Sequence, residues 1–388
     1  MNKPEKIWLS SPHMGGSETT YVQEAFNLNW IAPTGPQLAK FEENLSTYAN
    51  NQSVAALSSG TAGIHLGLKL LGVQADDYVI CQSFTFSASA NPIRYEGAIP
   101  VFVDSEDKTW NMCPVLLEEA IERCLSGEFL TGDGKRWTGP KKLPKAIIPV
   151  HLYGMPAQME AIQKIANNYG IPIVEDAAEA LGSTIAGQCC GSFGEIGVFS
   201  FNGNKIITTS GGGALTSKNP SMVDEAKFLA TQARENTPHY EHKVIGYNYR
   251  LSNVSAAIGI GQLEVLPQRI EKRRANFEFY KEAFAGLEIQ FLDEPMGYFS
   301  NRWLTTVLFD DAPQPLNTAV RLALDAHAIE SRPLWKPMHL QPVFQSFPYV
   351  GNSFSEKLFK QGLCLPSGSN LTLDQLDRVA SLVCSVCK

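Results

Sequence analysis

Ser200-Phe-Asn-Gly-Asn-Lys205-Ile-Ile-Thr-Thr-Ser-Gly-Gly-Gly213 sets one lysine in a small, polar loop that ends in three consecutive glycines. Val198-Phe199 precede the loop and the apolar run Gly213-Ala-Leu215 follows it, so the stretch reads as strand, loop, strand. An ammonium held there lies close to backbone and hydroxyl groups and has little room to wander. The glycines let the backbone approach a flat ligand or another chain closely. A lone lysine in a loop is usually a solvated surface charge. What Lys205 does therefore depends on what the chain brings beside it.

Three stretches upstream supply candidates. Val54-Ala-Ala-Leu57 reads as a strand that turns through Ser58-Ser-Gly-Thr-Ala62 into a helix with Ile64, Leu68 and Leu71 on one face. Free backbone N–H groups and the positive end of the helix dipole make that turn an anion cradle, although plain serine capping explains the same residues. The strand Tyr78-Val-Ile-Cys81 runs into Ser83-Phe-Thr-Phe-Ser-Ala-Ser-Ala-Asn91, where Phe84 and Phe86 alternate, one toward a core and one toward the strand-end crevice. Pro172-Ile-Val174 leads into Glu175-Asp176. A buried aspartate there is costly without a cation, and an opposite charge about 4 Å away at an effective dielectric near 20 is worth roughly 4 kcal/mol. Capping a helix is the other reading of Asp176.

Strands alternating with helices predict a doubly wound, mostly parallel α/β sheet. The polar residues Ser83, His151 and Asp176 fall at strand C-terminal ends, where such sheets bind ligands. Further on, Asn248 and Arg250 alternate in Gly246-Tyr-Asn-Tyr-Arg-Leu-Ser-Asn253, with an arginine fork suited to phosphate or carboxylate. A helix over 264–284 carries Arg269, Lys272, Arg273 and Arg274, read as a solvated face on a connecting element. A smaller α/β domain follows, so the division is 1–262 for a large cofactor-binding domain and 263–388 for the small domain with its connecting helix. Residues 125–145, rich in Gly, Lys and Pro and aperiodic, read as an exposed excursion rather than a boundary.

Composition narrows the function. Lys+Arg 32 against Asp+Glu 39 leaves a net charge of -7, which argues against nucleic acid as the main partner. No run of about 18 apolar residues suggests a membrane span, and Met1-Asn-Lys-Pro-Glu-Lys-Ile-Trp8 lacks the apolar centre of a secretion signal. Eight scattered cysteines fit a reduced, cytoplasmic protein. The isolated pair Cys384 and Cys387 has no second pair to complete a metal site, so no metal is expected.

In chain order the parts are an anion cradle at 60–62, an aromatic at 86, a strand-end acid at 176 and the lysine at 205. Pyridoxal phosphate calls for such a set. The motifs Ser-Gly-Thr-Ala (59–62), Ser-Phe-Thr-Phe (83–86), His-Leu-Tyr-Gly (151–154), Glu-Asp-Ala-Ala (175–178), Phe-Ser-Phe-Asn-Gly-Asn-Lys (199–205) and Gly-Tyr-Asn-Tyr-Arg-Leu-Ser-Asn (246–253) strongly resemble the DegT/DnrJ/EryC1/StrS sugar aminotransferases, of fold-type I. The resemblance runs from about Ile7 to Leu382. Ser-Pro-His-Met-Gly-Gly (11–16), Gln-Ala-Arg-Glu-Asn (232–236), Ser-Asn-Arg-Trp-Leu (300–304) and Arg-Pro-Leu-Trp-Lys (332–336), with Glu179 where many members have Gln or His, look like the branch that makes bacillosamine precursors.

That resemblance implies a transaminase in which Lys205 is the Schiff-base lysine and proton carrier. Asp176 pairs with the pyridine nitrogen, Phe86 stacks on the ring, and Gly60, Thr61 and Ser200 bind the phosphate. Asn248 comes from the partner of a homodimer with shared active sites, Glu179 contacts the cofactor or the sugar, and Arg250 holds the phosphate or the substrate's diphosphate. Trp303, Arg332 and His339 line a nucleotide-sugar pocket. The implied donor is L-glutamate and the implied acceptor a UDP-linked 4-keto-6-deoxy-N-acetylglucosamine, with a perosamine-type 4-aminotransferase as the nearest rival. A dehydratase of the same fold carries histidine in place of Lys205, and a non-catalytic regulator leaves the lysine without work.

Overall fold

The structure, a computed structural model, describes residues 5–309 and 316–387. Met1–Pro4, half of the stretch read for a leader, lie outside the described residues.

Short, apolar, β-branched runs become strands buried on both faces. Across the sheet they lie in the order Ser53–Leu57, Gly213–Ser217, Ile196–Ser200 and Val174–Asp176. Single bridges Ile147↔Ile173 and Val150↔Asp176 then join Ala146–Ile148, Tyr78–Gln82, Ile99–Val103, Pro348–Val350, Glu128–Thr131 and Arg136–Thr138. The centre is parallel, as alternation of strand and helix requires. Gly213–Ser217 runs antiparallel to both its neighbours.

Helices cover both faces. Gly60–Leu70 buries Ala62, Ile64, Leu66 and Leu68 against Val174, Val198 and Leu215. Pro114–Ser126 and Met159–Tyr169 bury Leu117, Ile121 and Ile162 against Ile80, Val101 and Ile147 on the other side. Val79 and Cys81 join the first of these cores, Tyr78 and Ile80 the second, which is the period-two alternation of a strand between two layers. Each such aliphatic side chain contributes about 1.5–3 kcal/mol on leaving water.

A second, antiparallel sheet orders Ile289–Phe291, Thr305–Phe309, Gly362–Leu365 and Arg332–Pro333, with helices Leu316–Ala326 and Leu373–Cys387 packed on it. The division at 262/263 remains our proposal, and Pro348–Val350, pairing parallel with Ile99–Val103, crosses it.

Two expectations are corrected here. Residues 125–145 are not a bare excursion. They carry a hairpin, Glu128–Thr131 with Arg136–Thr138, whose Phe129 and Trp137 pack around buried Tyr78 at ring separations of 5.7 and 5.9 Å. The helix Leu266–Ala283 is not uniformly solvated. Arg269 and Arg273 are buried, and Arg273 donates to the carbonyls of Trp303 (2.5 Å) and Ser367 (3.2 Å) and to Ser10 Oγ (2.9 Å). Only Lys272 of the four basic residues is exposed. Among the described residues no helix is long and apolar enough to cross a membrane.

Candidate active site

The parallel strands stop together, and a cavity of about 300 Å³ opens at their C-terminal ends. Strand pairing sets its floor. Val198 is opposite Asp176, and two residues further Ser200 is opposite Gly213. The loop between Ser200 and Gly213 is a strand connection, as its sequence suggests, and is pinned by Phe201 N–H to the Gly212 carbonyl (2.8 Å) and Thr209 N–H to the Phe201 carbonyl (3.0 Å).

Glycine is required at one contact and makes a second one easier. A Cβ on Gly213 would collide with the backbone of Ser59 and Gly60, and one on Gly60 would press Ser200 Cβ at 3.2 Å. The loop end and the start of helix Gly60–Leu70 are thereby packed backbone to backbone. Ser59 Oγ accepts the N–H of Ala62 (3.0 Å) as the helix cap. The capping explanation is thus correct and leaves room for an anion, because the first-turn amides of Gly60 and Thr61 have no helix carbonyl to meet. Ser58, Ser59, Gly60, Thr61 and Ser200 all line the cavity.

Asp176 is buried and lines the same space. Its carboxylate accepts Ser89 Oγ–H (2.6 Å) and the N–H of Ala178 (3.1 Å), and Ser89 is held by Thr85 Oγ1 at 2.7 Å. Among the described residues no side-chain cation pairs with it.

Lys205 Nζ enters from the loop, largely buried, 3.4 Å from Glu179 Oε1 and 4.1 Å from the centre of the Trp303 ring. Glu179 is buried and accepts the N–H of Tyr153 through Oε2 (2.6 Å). Burial pushes the Glu179 carboxyl above the usual carboxylate range, and the Lys205 charge partly opposes that. Trp303 is fixed by its indole N–H to the Asn204 carbonyl (2.8 Å). Phe84 is buried and Phe86 faces the cavity, as their alternation predicts.

Three residues expected at the site, Arg250, Arg332 and His339, do not line this cavity, and neither does Asn248, which was expected at the partner subunit's site. Asn248 is exposed in an isolated bridge to Thr231. Arg250 is spent on Glu42 (2.5 Å) and the Ala56 carbonyl (2.8 Å), tying its extended segment to the strand edge. Arg332 is an exposed residue paired with Glu330 (2.9 Å). His339 is buried away from the cavity, with Nδ1 at 2.7 Å from Ser83 Oγ and its ring stacked on Tyr349 at 3.7 Å. His151, the other strand-end residue, is also buried, its Nε2 at 2.6 Å from Glu175, whose carboxylate accepts the N–H groups of Gly191, Phe193 and Gly194.

The sequence reading missed Trp335, Ser89, Thr85, Asn202 and Asn204. Trp335 lines the cavity, its backbone N–H donating to Tyr153 Oη (2.8 Å). It sits inside the quoted run 332–336, where charge drew attention to Arg332 instead.

Comparisons with known proteins follow the geometry. Residues 12–384 match the model of the DegT/DnrJ/EryC1/StrS aminotransferase family. EpsN of Bacillus subtilis (strain 168), provisionally named a pyridoxal phosphate-dependent aminotransferase, is 50% identical over 384 residues, covering 98% of this chain and 95% of that protein. The GDP-perosamine synthase of Caulobacter vibrioides is 33% identical, covering 98% of each. Spr1654 of Streptococcus pneumoniae, provisionally named a sugar aminotransferase and solved in its PLP-form, superposes with a TM-score of 0.88 at 26% identity, covering 99% of both chains. The chain belongs to the DegT/DnrJ/EryC1/StrS family, has its α/β fold and is a pyridoxal-phosphate-dependent sugar aminotransferase.

The residues fit that cofactor. A buried carboxylate without a cationic partner among the described residues suits a ring N–H cation, and helix-start amides beside hydroxyls suit a phosphate.

Proposed function

We propose that this enzyme moves an amino group from L-glutamate to C4 of a UDP-linked 4-keto-6-deoxy-N-acetylglucosamine, giving UDP-4-amino-4,6-dideoxy-N-acetyl-α-D-glucosamine, a bacillosamine-type glycan precursor. The observation that carries the transfer chemistry is that Lys205 and Asp176, an acid with no side-chain cation beside it among the described residues, line one cavity. The choice of sugar rests on the branch motifs at 11–16, 232–236, 300–304 and 332–336. Perosamine synthesis is the second reading, favoured by relatives of that name at 33% and 35% identity.

When bound, pyridoxal phosphate supplies a carbonyl carbon that carries the amino group and a protonated ring that accepts the electron pair left on carbon. In this reading Asp176 holds the proton on the ring nitrogen, and Ser89 and the Ala178 amide aim its carboxylate. Gly60, Thr61 and Ser200 hold the phosphate, with Ser58 and Ser59 beside them, and Phe86 covers a ring face. Lys205 Nζ takes a proton from the donor's α-carbon and later delivers one to sugar C4 as general acid and base. Glu179 and the Trp303 ring restrict where that amine swings. Glutamate and sugar enter in turn, a ping-pong order. The same reading has exposed Asn248 complete a partner subunit's phosphate site in a homodimer, and has the enzyme work in the cytoplasm.

The test is turnover with glutamate on a panel of UDP- and GDP-linked 4-keto-6-deoxy sugars, with products identified by mass spectrometry. Amination of the UDP-linked N-acetyl sugar at C4 is expected. Amination of the GDP-linked sugar alone supports the perosamine reading, and amination of none overturns both.

A further inference from the structure

The hairpin at 128–138 and the buried His339 have no part in the chemistry above, and they meet. The hairpin pairs with Pro348–Val350, Thr131 opposite Pro348 and Leu130 opposite Tyr349. Its tip reaches over the preceding turn: Gly132 N–H donates to the Phe347 carbonyl (3.2 Å) and Asp133 N–H to the Gln345 carbonyl (2.9 Å). Gly132 lies so close to His339 that a Cβ there would collide with the His339 carbonyl.

His339 in turn grips a strand end that feeds the cavity. Its Nδ1 is 2.7 Å from Ser83 Oγ, which also accepts the His339 N–H (3.3 Å), while Met338 N–H donates to the Ser83 carbonyl (2.7 Å). Thr85 and Phe86 follow Ser83 into the cavity wall. On the other side of His339, four residues back, Trp335 faces the same cavity, its ring 6.4 Å from Phe86, 5.4 Å from Tyr153 and 6.5 Å from Trp303. Tyr349 closes the stack over His339 and donates its hydroxyl to Asp104 (2.8 Å), which also accepts the first amides of helix Phe354–Gln361.

We propose that the hairpin and His339 form a brace that fixes the Trp335 and Phe86 walls of the cavity and so sets the enzyme's hold on its keto sugar. His339 is then a positioning residue. It touches no substrate and acts through Ser83 and Trp335. Of the cofactor contacts proposed above only Phe86 lies on a braced wall, while Gly60, Thr61, Asp176 and Ser200 belong to other strand ends, so the brace governs the larger sugar substrate more than glutamate. This inference rests on the sugar-aminotransferase reading of the same cavity.

Three variants test it. Gly132→Ala forces the hairpin tip off His339. His339→Leu removes the bond to Ser83, and His339→Asn keeps a polar atom near the Nδ1 position. We expect Gly132→Ala and His339→Leu to raise KM for the keto sugar about fivefold or more. KM for glutamate and the bound-cofactor absorbance should stay within about twofold, and His339→Asn should restore the sugar KM. A merely structural role lowers Tm and leaves these ratios unmoved. Folded variants with wild-type sugar KM, equal rises in both KM values, or an Asn variant as impaired as Leu would each overturn the brace. So would failure of both Gly132→Ala and His339→Leu to fold, which would make the hairpin a folding element. If wild-type enzyme ignores the UDP-linked sugar, the substrate assignment falls. The same ratios, measured on whichever panel sugar is aminated, then still decide the brace; if none is aminated, it falls with the reading it rests on.

Discussion

The two halves of the cavity are built differently. The half made by residues 58–61, 176 and 200–213 stands on strand ends locked into register, with Ser200 opposite Gly213 and Val198 opposite Asp176. The half made by Trp335 hangs from a long loop held at Tyr153, at Ser83 and at the hairpin tip. In the first half, position follows from where a strand stops. In the second it follows from contacts to chain far away in sequence. A site residue on a strand end declares itself, whereas one on a braced loop is hidden behind more conspicuous neighbours.

The comparison breaks first at Lys205. Lys205→Ala should abolish the absorbance band of the lysine-bound cofactor and lower turnover by at least about 10⁴-fold. A normal band and rate in that variant would remove the strand-end half from the chemistry. Asp176→Asn keeps the size and loses the charge. With roughly 4 kcal/mol of attraction at stake, kcat should fall about a thousandfold while the folded enzyme melts near the wild-type temperature.

Gly213→Ala comes next. Its methyl has nowhere to go but into the Ser59–Gly60 backbone. Overpacking there costs about 1–3 kcal/mol, read as weaker cofactor retention in a dialysis or spectral titration. Unchanged retention would mean that the cradle is not the phosphate site. The smallest effect is expected at Arg332→Ala, where an exposed pair with Glu330 is lost. Stability should shift by less than about 0.5 kcal/mol, with the sugar KM unmoved. A large rise in KM would instead return Arg332 to the substrate pocket, by way of a second subunit.

How far the sequence could be read follows the same line. The strand Thr305–Phe309 and the hairpin strands around Lys205 lie where their apolar runs put them. The alternation of Phe84 and Phe86 sorts them correctly between core and cavity. Arg273 misleads because its charge masks its spacing. It shares the buried face of its helix with Arg269, Phe277 and Tyr280, at intervals of three and four. The hairpin misleads for another reason. Gly127, Gly132, Gly134 and Gly139 interrupt its period, and the strand that completes it lies more than two hundred residues later. His339 draws attention as a titratable side chain three residues past a motif, and only its packing on Tyr349 and Ser83 shows it to be buried framework.

The pairing of Tyr349 with Phe102 also bears on how the protein is made. While the chain leaves a ribosome, the outer rim of Ile99–Val103 has no strand beside it, and neither has the open edge of Glu128–Thr131, until residue 350 has been synthesised. At about 5–20 residues per second that interval lasts roughly 10–50 s. A row of unsatisfied N–H and C=O groups is on display throughout, the kind of surface that invites aggregation. Synthesis in cells should therefore lean on chaperones that shield nascent chains, and a product cut short before residue 348 should collect in the insoluble fraction.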